Sequence, residues 1–182
     1  EPLDPAQGVV ILMNKPLGYT CSAKDQGRLV YDLFPDRFRI RKPALSTIGR
    51  LDKETSGLLL FTDDGTFLHK VISPKSGVPK IYDVTLDRPM TGTEADVFAS
   101  GQMMLESEEK PLKPAELDVI DEKNARLTLH EGRYHQVRRM FAATGNHVTV
   151  LTRSRVGALG LDGVDEGSWK VLSDAEKTLI FT

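Results

Sequence analysis

Among its 182 residues the chain has a single cysteine and a single tryptophan. A lone thiol, Cys21, forms no internal disulfide, and the opening stretch EPLDPAQG has neither the basic nor the apolar region of a secretory leader. The expected compartment is therefore the cytoplasm. No apolar run approaches the roughly 20 residues that a membrane span requires, so no membrane partner is expected. The histidines are few, and His69, His130, His135 and His147 lack ligand spacing and lie far from the cysteine, which leaves no metal site. No glycine-rich run opens a helix with a following Lys-Ser or Lys-Thr, so nucleoside triphosphate chemistry has no support. Internal repeats are absent, and the only biased tract is the Pro-containing first eight residues.

What is present fits an ordinary globular chain. With 40% hydrophobic and 27% charged residues it can bury a real core. Residues 1–8 read as a linker-like segment and residues 9–182 as one folded domain. The absence of a starting methionine is consistent with a domain of a longer protein. The net charge of −2 argues against gripping nucleic acid by bulk attraction. Its distribution is uneven, however. Arg37 to Arg50 and Arg133 to Leu161 contain no acid, while acids collect in Glu94 to Glu122 and Asp162 to Glu176. Either the two basic runs form one positive face or they are two separate solvated loops. If RFRIR is extended, Arg37, Arg39 and Arg41 share one face and form an edge that tracks phosphates.

Strand signals occur at residues 9–14, 57–62, 80–86, 117–121, 125–131, 147–152 and 169–172. Thr91 with Glu94 and Ser173 with Glu176 have capping-box spacing, which predicts helix starts there. TFLHKVIS (66–73) predicts a short helix stopped by Pro74. In YHQVRRMFAATG (134–145), Val137, Met140, Phe141 and Thr144 fall on one helical stripe, with Gly145 as the stop. Strands outnumber helices without strict alternation. The expected class is α+β, a mixed, mostly antiparallel sheet with helices packed on it.

Several polar groups could carry chemistry. Asp63 and Asp64 in TDDG read as a turn, Glu106, Glu108 and Glu109 as a polar loop, and Cys21 as small core filler. Asp52 stands out in GRLDKETSG at the mouth of an apolar strand, although a surface aspartate capping its own turn fits the same pattern. In HEGRYHQVRRMF a glycine turn delivers Arg133, Tyr134, His135 and Gln136 to a helix start. Arginines there oppose the helix dipole and call for an anionic partner, either a protein carboxylate or a phosphate. In KIYDV, period two puts Lys80 and Tyr82 on one face, where a tyrosine is either sheet packing or a base-stacking surface.

Taken together, NKPLGY (14–19), GRLDKETSGLLLFTDDG (49–65), KIYDV (80–84) and EGRYHQVRRMF (131–141) resemble the ordered motifs of the pseudouridine synthases, in the branch that modifies small-subunit (16S) ribosomal RNA. The resemblance runs from about Val9 to Trp169. It implies a mixed sheet with a central catalytic cleft and no cofactor or metal. It further implies Asp52 as the catalytic aspartate, Tyr82 as the residue that stacks on the target uracil, and Arg138 as the basic partner of Asp52. Arg50 would stabilise the extruded nucleotide. Lys15, Lys80, Arg133, His135, Gln136 and Arg139 would contact RNA. The expected partner is ribosomal RNA or a small-subunit assembly intermediate, bound by a monomer. Members of this branch commonly carry a small S4-like RNA-binding domain before the catalytic one, which this sequence lacks. The alternatives are a large-subunit enzyme and a non-catalytic RNA-binding or ribosome-assembly module. A glycosidase is disfavoured because no second acid is suitably placed beside Asp52.

Overall fold

The computed structural model describes residues 8–22, 24 and 26–182. Apart from Gly8, the linker-like segment lies outside the described residues. The strands are β1 (Val10–Lys15), β2 (Tyr19–Thr20), β3 (Arg28–Leu29), β4 (Ser46–Ile48), β5 (Ser56–Thr62), β6 (Lys80–Leu86), β7 (Glu116–Val119), β8 (Asn124–Leu129), β9 (Val148–Val156) and β10 (Trp169–Val171). The helices are α1 (Asp36–Arg39), α2 (Gly65–Ile72), α3 (Glu94–Ala99), α4 (Gln136–Ala143) and α5 (Asp174–Leu179). The chain divides into two compact units, one running to Val78 and resuming at Arg155–Thr182, the other Pro79–Ser154.

In the first unit β1 lies antiparallel between β5 and β10, and β4 pairs antiparallel with the other side of β5. The unbroken apolar runs of β1 and β5 are explained by burial on both faces. Val10, Leu12, Leu58 and Leu60 pack into one cluster with Val71 and Ile180, near Phe67 and Phe181 of the α2 and α5 segments. Ile11, Met13, Leu59 and Phe61 point the other way into a cluster with Val30, Phe34 and Phe38. There Phe34 meets Phe61 edge-on at 4.8 Å and Phe38 meets Trp169 at 4.9 Å. Each such side chain contributes about 1.5–3 kcal/mol of burial. Asp64 caps α2 by accepting from the Thr66 and Phe67 amides, while Asp63 is buried and accepts from Arg41 and the Gly8 amide, both at 2.8 Å. Gly157 makes a close approach. It has φ +60, and a Cβ there would fall 2.2 Å from the Ile180 carbonyl oxygen, so only glycine fits beside the last turn of the chain.

In the second unit β8 pairs antiparallel with both β6 and β7, and β9 flanks β6. Alternate residues of β8, Ala125, Leu127 and Leu129, are buried. They share a core with Phe98 of α3 and with Val137, Met140 and Phe141 of α4. Phe98 and Phe141 pack edge-to-face at 5.1 Å.

The α+β class and the mostly antiparallel pairing follow the expectation, and α4 buries Val137, Met140 and Phe141 of the predicted stripe, while Thr144 caps its end half-buried. Ser173 and Glu176 form a capping box at α5. At the other predicted box the helix begins later, with Thr93 at the cap. Glu94 instead ties the preceding turn, accepting from the Thr91 amide and hydroxyl and the Gly92 amide.

The extended reading of RFRIR is corrected. Pro35 opens a one-turn helix whose Phe38 is buried, and the three arginines take different surroundings. Arg37 lies over the Phe38 and Trp169 rings, Arg39 pairs with Asp36, and Arg41 forms a buried ion pair with Asp63. They therefore do not line one edge.

Candidate active site

The sequence candidates fall into two groups, Lys15, Arg50 and Asp52 in the first unit and the remainder in the second. Asp52 sits in the connection from β4 to β5, half-exposed, on a turn closed by the Thr55 amide donating to the Asp52 carbonyl at 3.0 Å. That turn is clamped on both flanks. On one side Leu51 is buried, and its amide and carbonyl exchange hydrogen bonds with the Cys21 sulfur at 3.5 and 3.4 Å. On the other, the Gly18 amide donates to the Lys53 carbonyl at 2.9 Å. The Lys15 ammonium donates to the carbonyls of Thr55 at 2.7 Å, Pro16 at 3.0 Å and Lys53 at 3.4 Å. The motif NKPLGY thus holds the segment that presents Asp52. Arg50, two residues before Asp52, is exposed.

Lys15 is 0% exposed, so its ammonium braces this turn and does not reach a phosphate. Burial lowers its pKa, an effect opposed by the nearby Cys21, Asp52 and Glu54. Lys15 holds the turn through carbonyl oxygens, which accept from an ammonium without neutralising it.

In the second unit Lys80 and Tyr82 occupy one face of β6, opposite Leu129 and Leu127 of β8. Tyr82 is partly buried against the unit's core. The Lys80 pKa is lowered by burial first, then by repulsion from Arg153 and Lys113, with Glu131 acting in the opposite sense. Arg138 lies on α4, half-buried, and donates to the Val148 carbonyl at 3.3 Å.

The turn before α4 is internally tied. Arg133 donates to the Glu131 carboxylate at 2.8 Å and to the carbonyls of Lys110 and Pro111 at 2.9 and 2.8 Å. Buried Gln136 accepts from the Arg133 amide and donates to Glu131. Arg139 pairs with Glu108 at 3.1 Å and donates to the carbonyls of Tyr134 and Glu106. Their polar groups are committed to protein partners, so Arg133, Gln136 and Arg139 brace the turn where RNA contacts were expected. The exposed side chains of the turn are those of Tyr134 and His135. Two contributors were missed in the sequence. One is the Cys21 clamp on Leu51, which carries no local signal. The other is Arg153, buried at 4%, whose inward position in β9 is set by strand alternation after Leu151. Among the described residues no group of three or more His, Cys, Asp or Glu could hold a metal ion, and no helix is long and apolar enough to cross a membrane.

Residues 9–143, which contain all four motif segments, match the family model described as RNA pseudouridylate synthase. The chain belongs to that family. By family it is an isomerase. It is 45% identical over 166 residues to ribosomal small subunit pseudouridine synthase A of Yersinia pestis, covering 91% of this chain and 69% of that protein. The corresponding protein of Escherichia coli K12 is 44% identical over 166 residues, covering 91% and 71%. A solved pseudouridylate synthase structure superimposes with a TM-score of 0.88 at 40% identity, over 96% of this chain and 74% of that one. Human RNA pseudouridylate synthase domain containing 1, at 15% identity and a TM-score of 0.54, shares the fold over 86% of this chain and 80% of that one.

Proposed function

We propose that this pseudouridine synthase isomerises a specific uridine of small-subunit ribosomal RNA, with Asp52 as the catalytic carboxylate. The observation that carries the substrate class is the 44–45% identity, over 91% of the chain, to relatives named for the small ribosomal subunit. The assignment of Asp52 is supported by the clamping of its turn from both flanks, since a carboxylate that must meet one sugar carbon needs fixed geometry.

The reaction breaks the C1′–N1 bond, turns the uracil within the site and joins C5 to C1′. On the route we favour, the Asp52 carboxylate removes the C2′ proton as N1 departs with the bonding pair, giving a glycal and a uracil anion. C5 then adds to C1′, the carboxylic acid returns its proton to C2′, and the C5 hydrogen leaves to solvent while N1 takes up a proton. Attack of the carboxylate on C1′ reaches the same product through a covalent ester. Both routes need an ionised carboxylate, whose charge Arg138 stabilises as its basic partner. Flipping the nucleotide out of structured RNA costs a few kcal/mol. Stacking on Tyr82, at roughly 1–3 kcal/mol per base, offsets much of this. Arg50 and Lys80 contact the nucleotide and its phosphates. Lys15, Arg133, Gln136 and Arg139 serve the site by holding the turns that present its residues.

The test is release of tritium from RNA labelled at uridine C5, a label lost only when C5 bonds to the sugar. Release from small-subunit RNA and none from large-subunit RNA is expected. Release from large-subunit RNA alone would overturn the substrate, and release from none of small-subunit RNA, large-subunit RNA and small-subunit assembly intermediates would overturn the isomerase.

A further inference from the structure

The turn before α4 is rigidly held, yet its tip is aromatic and faces solvent. Tyr134 is 75% exposed. Its ring lies flat on that of His135, with centroids 3.9 Å apart and planes 14° from parallel. His135 has φ 48 and ψ 38, a left-handed conformation uncommon for a residue with a side chain. The backbone that carries the two rings is held by its neighbours. The Tyr134 carbonyl accepts from Arg139 at 3.0 Å, and the Arg133 amide is taken by Gln136 at 3.0 Å. Arg133 and Arg139 are in turn fixed by Glu131 and Glu108.

From this arrangement, and resting on the reading of the chain as an RNA-modifying enzyme, we propose that the stacked Tyr134–His135 pair is a platform for a nucleobase of the substrate RNA other than the target uracil. Apolar burial does not account for the exposed ring, because three-quarters of Tyr134 remains in water. The guanidiniums closest in sequence are engaged by carboxylates and carbonyls, so phosphate capture is a poor account of this tip. A parallel aromatic pair, fixed at its backbone and open on the outer tyrosine face, suits a flat π-system, and a base stacks on such a face whatever its identity. The sequence pattern called for an anionic partner of this segment, either a protein carboxylate or a phosphate; the arginines take protein carboxylates and brace an aromatic tip suited to base stacking.

The experiment compares binding of two fluorescein-labelled single-stranded hexamers by the full chain, one of adenylates and one abasic with the same phosphates. The parent is expected to prefer the adenylate hexamer. Tyr134→Ala and Tyr134→Leu should weaken adenylate binding about 5- to 150-fold and leave abasic binding and the melting temperature unchanged. Tyr134→Phe should bind as the parent does. Unchanged adenylate affinity in Tyr134→Ala, or an equal loss on both hexamers, would overturn the platform. Tritium release on the same variants separates this proposal from the isomerase reading. Loss of adenylate binding in a protein that never releases tritium upholds the platform and overturns the isomerase. Full release with KM unaltered by Tyr134→Ala does the reverse.

Discussion

Replacing Lys15 with methionine separates bracing of the Asp52 turn from stability of the fold. The ammonium is wholly buried and donates to the carbonyls of Pro16, Lys53 and Thr55. In Lys15→Met the Lys53 carbonyl keeps the Gly18 amide. The Pro16 and Thr55 carbonyls each lose a charged donor, at about 1–3 kcal/mol apiece. Against this, methionine of similar length relieves the native state of a buried charge, whose desolvation costs several kcal/mol. The two effects nearly cancel, so a net destabilisation of about 0–3 kcal/mol is expected. Turnover should respond far more, because a displacement of about 1 Å in a reacting group can cost roughly 100-fold. The assay pairs denaturant unfolding with tritium release under saturating RNA, which reads kcat apart from KM. A fall in kcat no larger than about threefold in a folded Lys15→Met protein would refute the bracing argument. The pH dependence gives a second reading. The folded pKa of Lys15 lies below its ordinary 10.5, so between those values the unfolded state holds more protons and the stability of the parent relative to Lys15→Met should rise with pH.

Asp63→Asn removes the carboxylate of a buried ion pair with Arg41 and should cost about 3 kcal/mol or more by chemical denaturation; a change within about 0.5 kcal/mol would show that the pair does not hold the segment before β4. Gly157→Ala should destabilise by more than the roughly 1–2 kcal/mol of a left-handed alanine alone, because its Cβ meets the Ile180 carbonyl, and an unchanged melting temperature would contradict that close approach. A phosphate beside Lys80 favours its protonated form, so RNA affinity should fall as pH rises through its lowered pKa. That dependence should vanish in Lys80→Met, and a parent-like pH profile in the variant would remove Lys80 from the interface.

The core strands were legible because β1 and β5 bury alternate residues in two different clusters, which writes a continuous apolar run into the sequence. The α4 stripe was legible because Val137, Met140 and Phe141 keep helical spacing. β2, β3 and β4 span only two or three residues, too few for periodicity to register. RFRIR was misread because its arginines alternate with period two, whereas the residues that decide the local structure are Phe34 and Phe38, four apart and packed against Trp169. Among the candidate residues, the motifs carrying Asp52, Tyr82 and Arg138 are visible in the sequence, but the partners of the basic residues are not. Lys15 is held by carbonyls up to 40 residues away, and Arg139 finds Glu108 31 positions earlier. A window without acids is thus no evidence of unpaired positive charge. Arg133 and Arg139 lie in such a window and were expected to contact RNA, and both are found in ion pairs.

Asp52→Asn under single-turnover conditions on small-subunit RNA tritiated at uridine C5 tests the catalytic carboxylate directly. RNA affinity equal to that of the parent is expected, with tritium release slowed by at least about 100-fold. Release at the parental rate from a variant that binds normally would contradict Asp52 as the catalytic carboxylate.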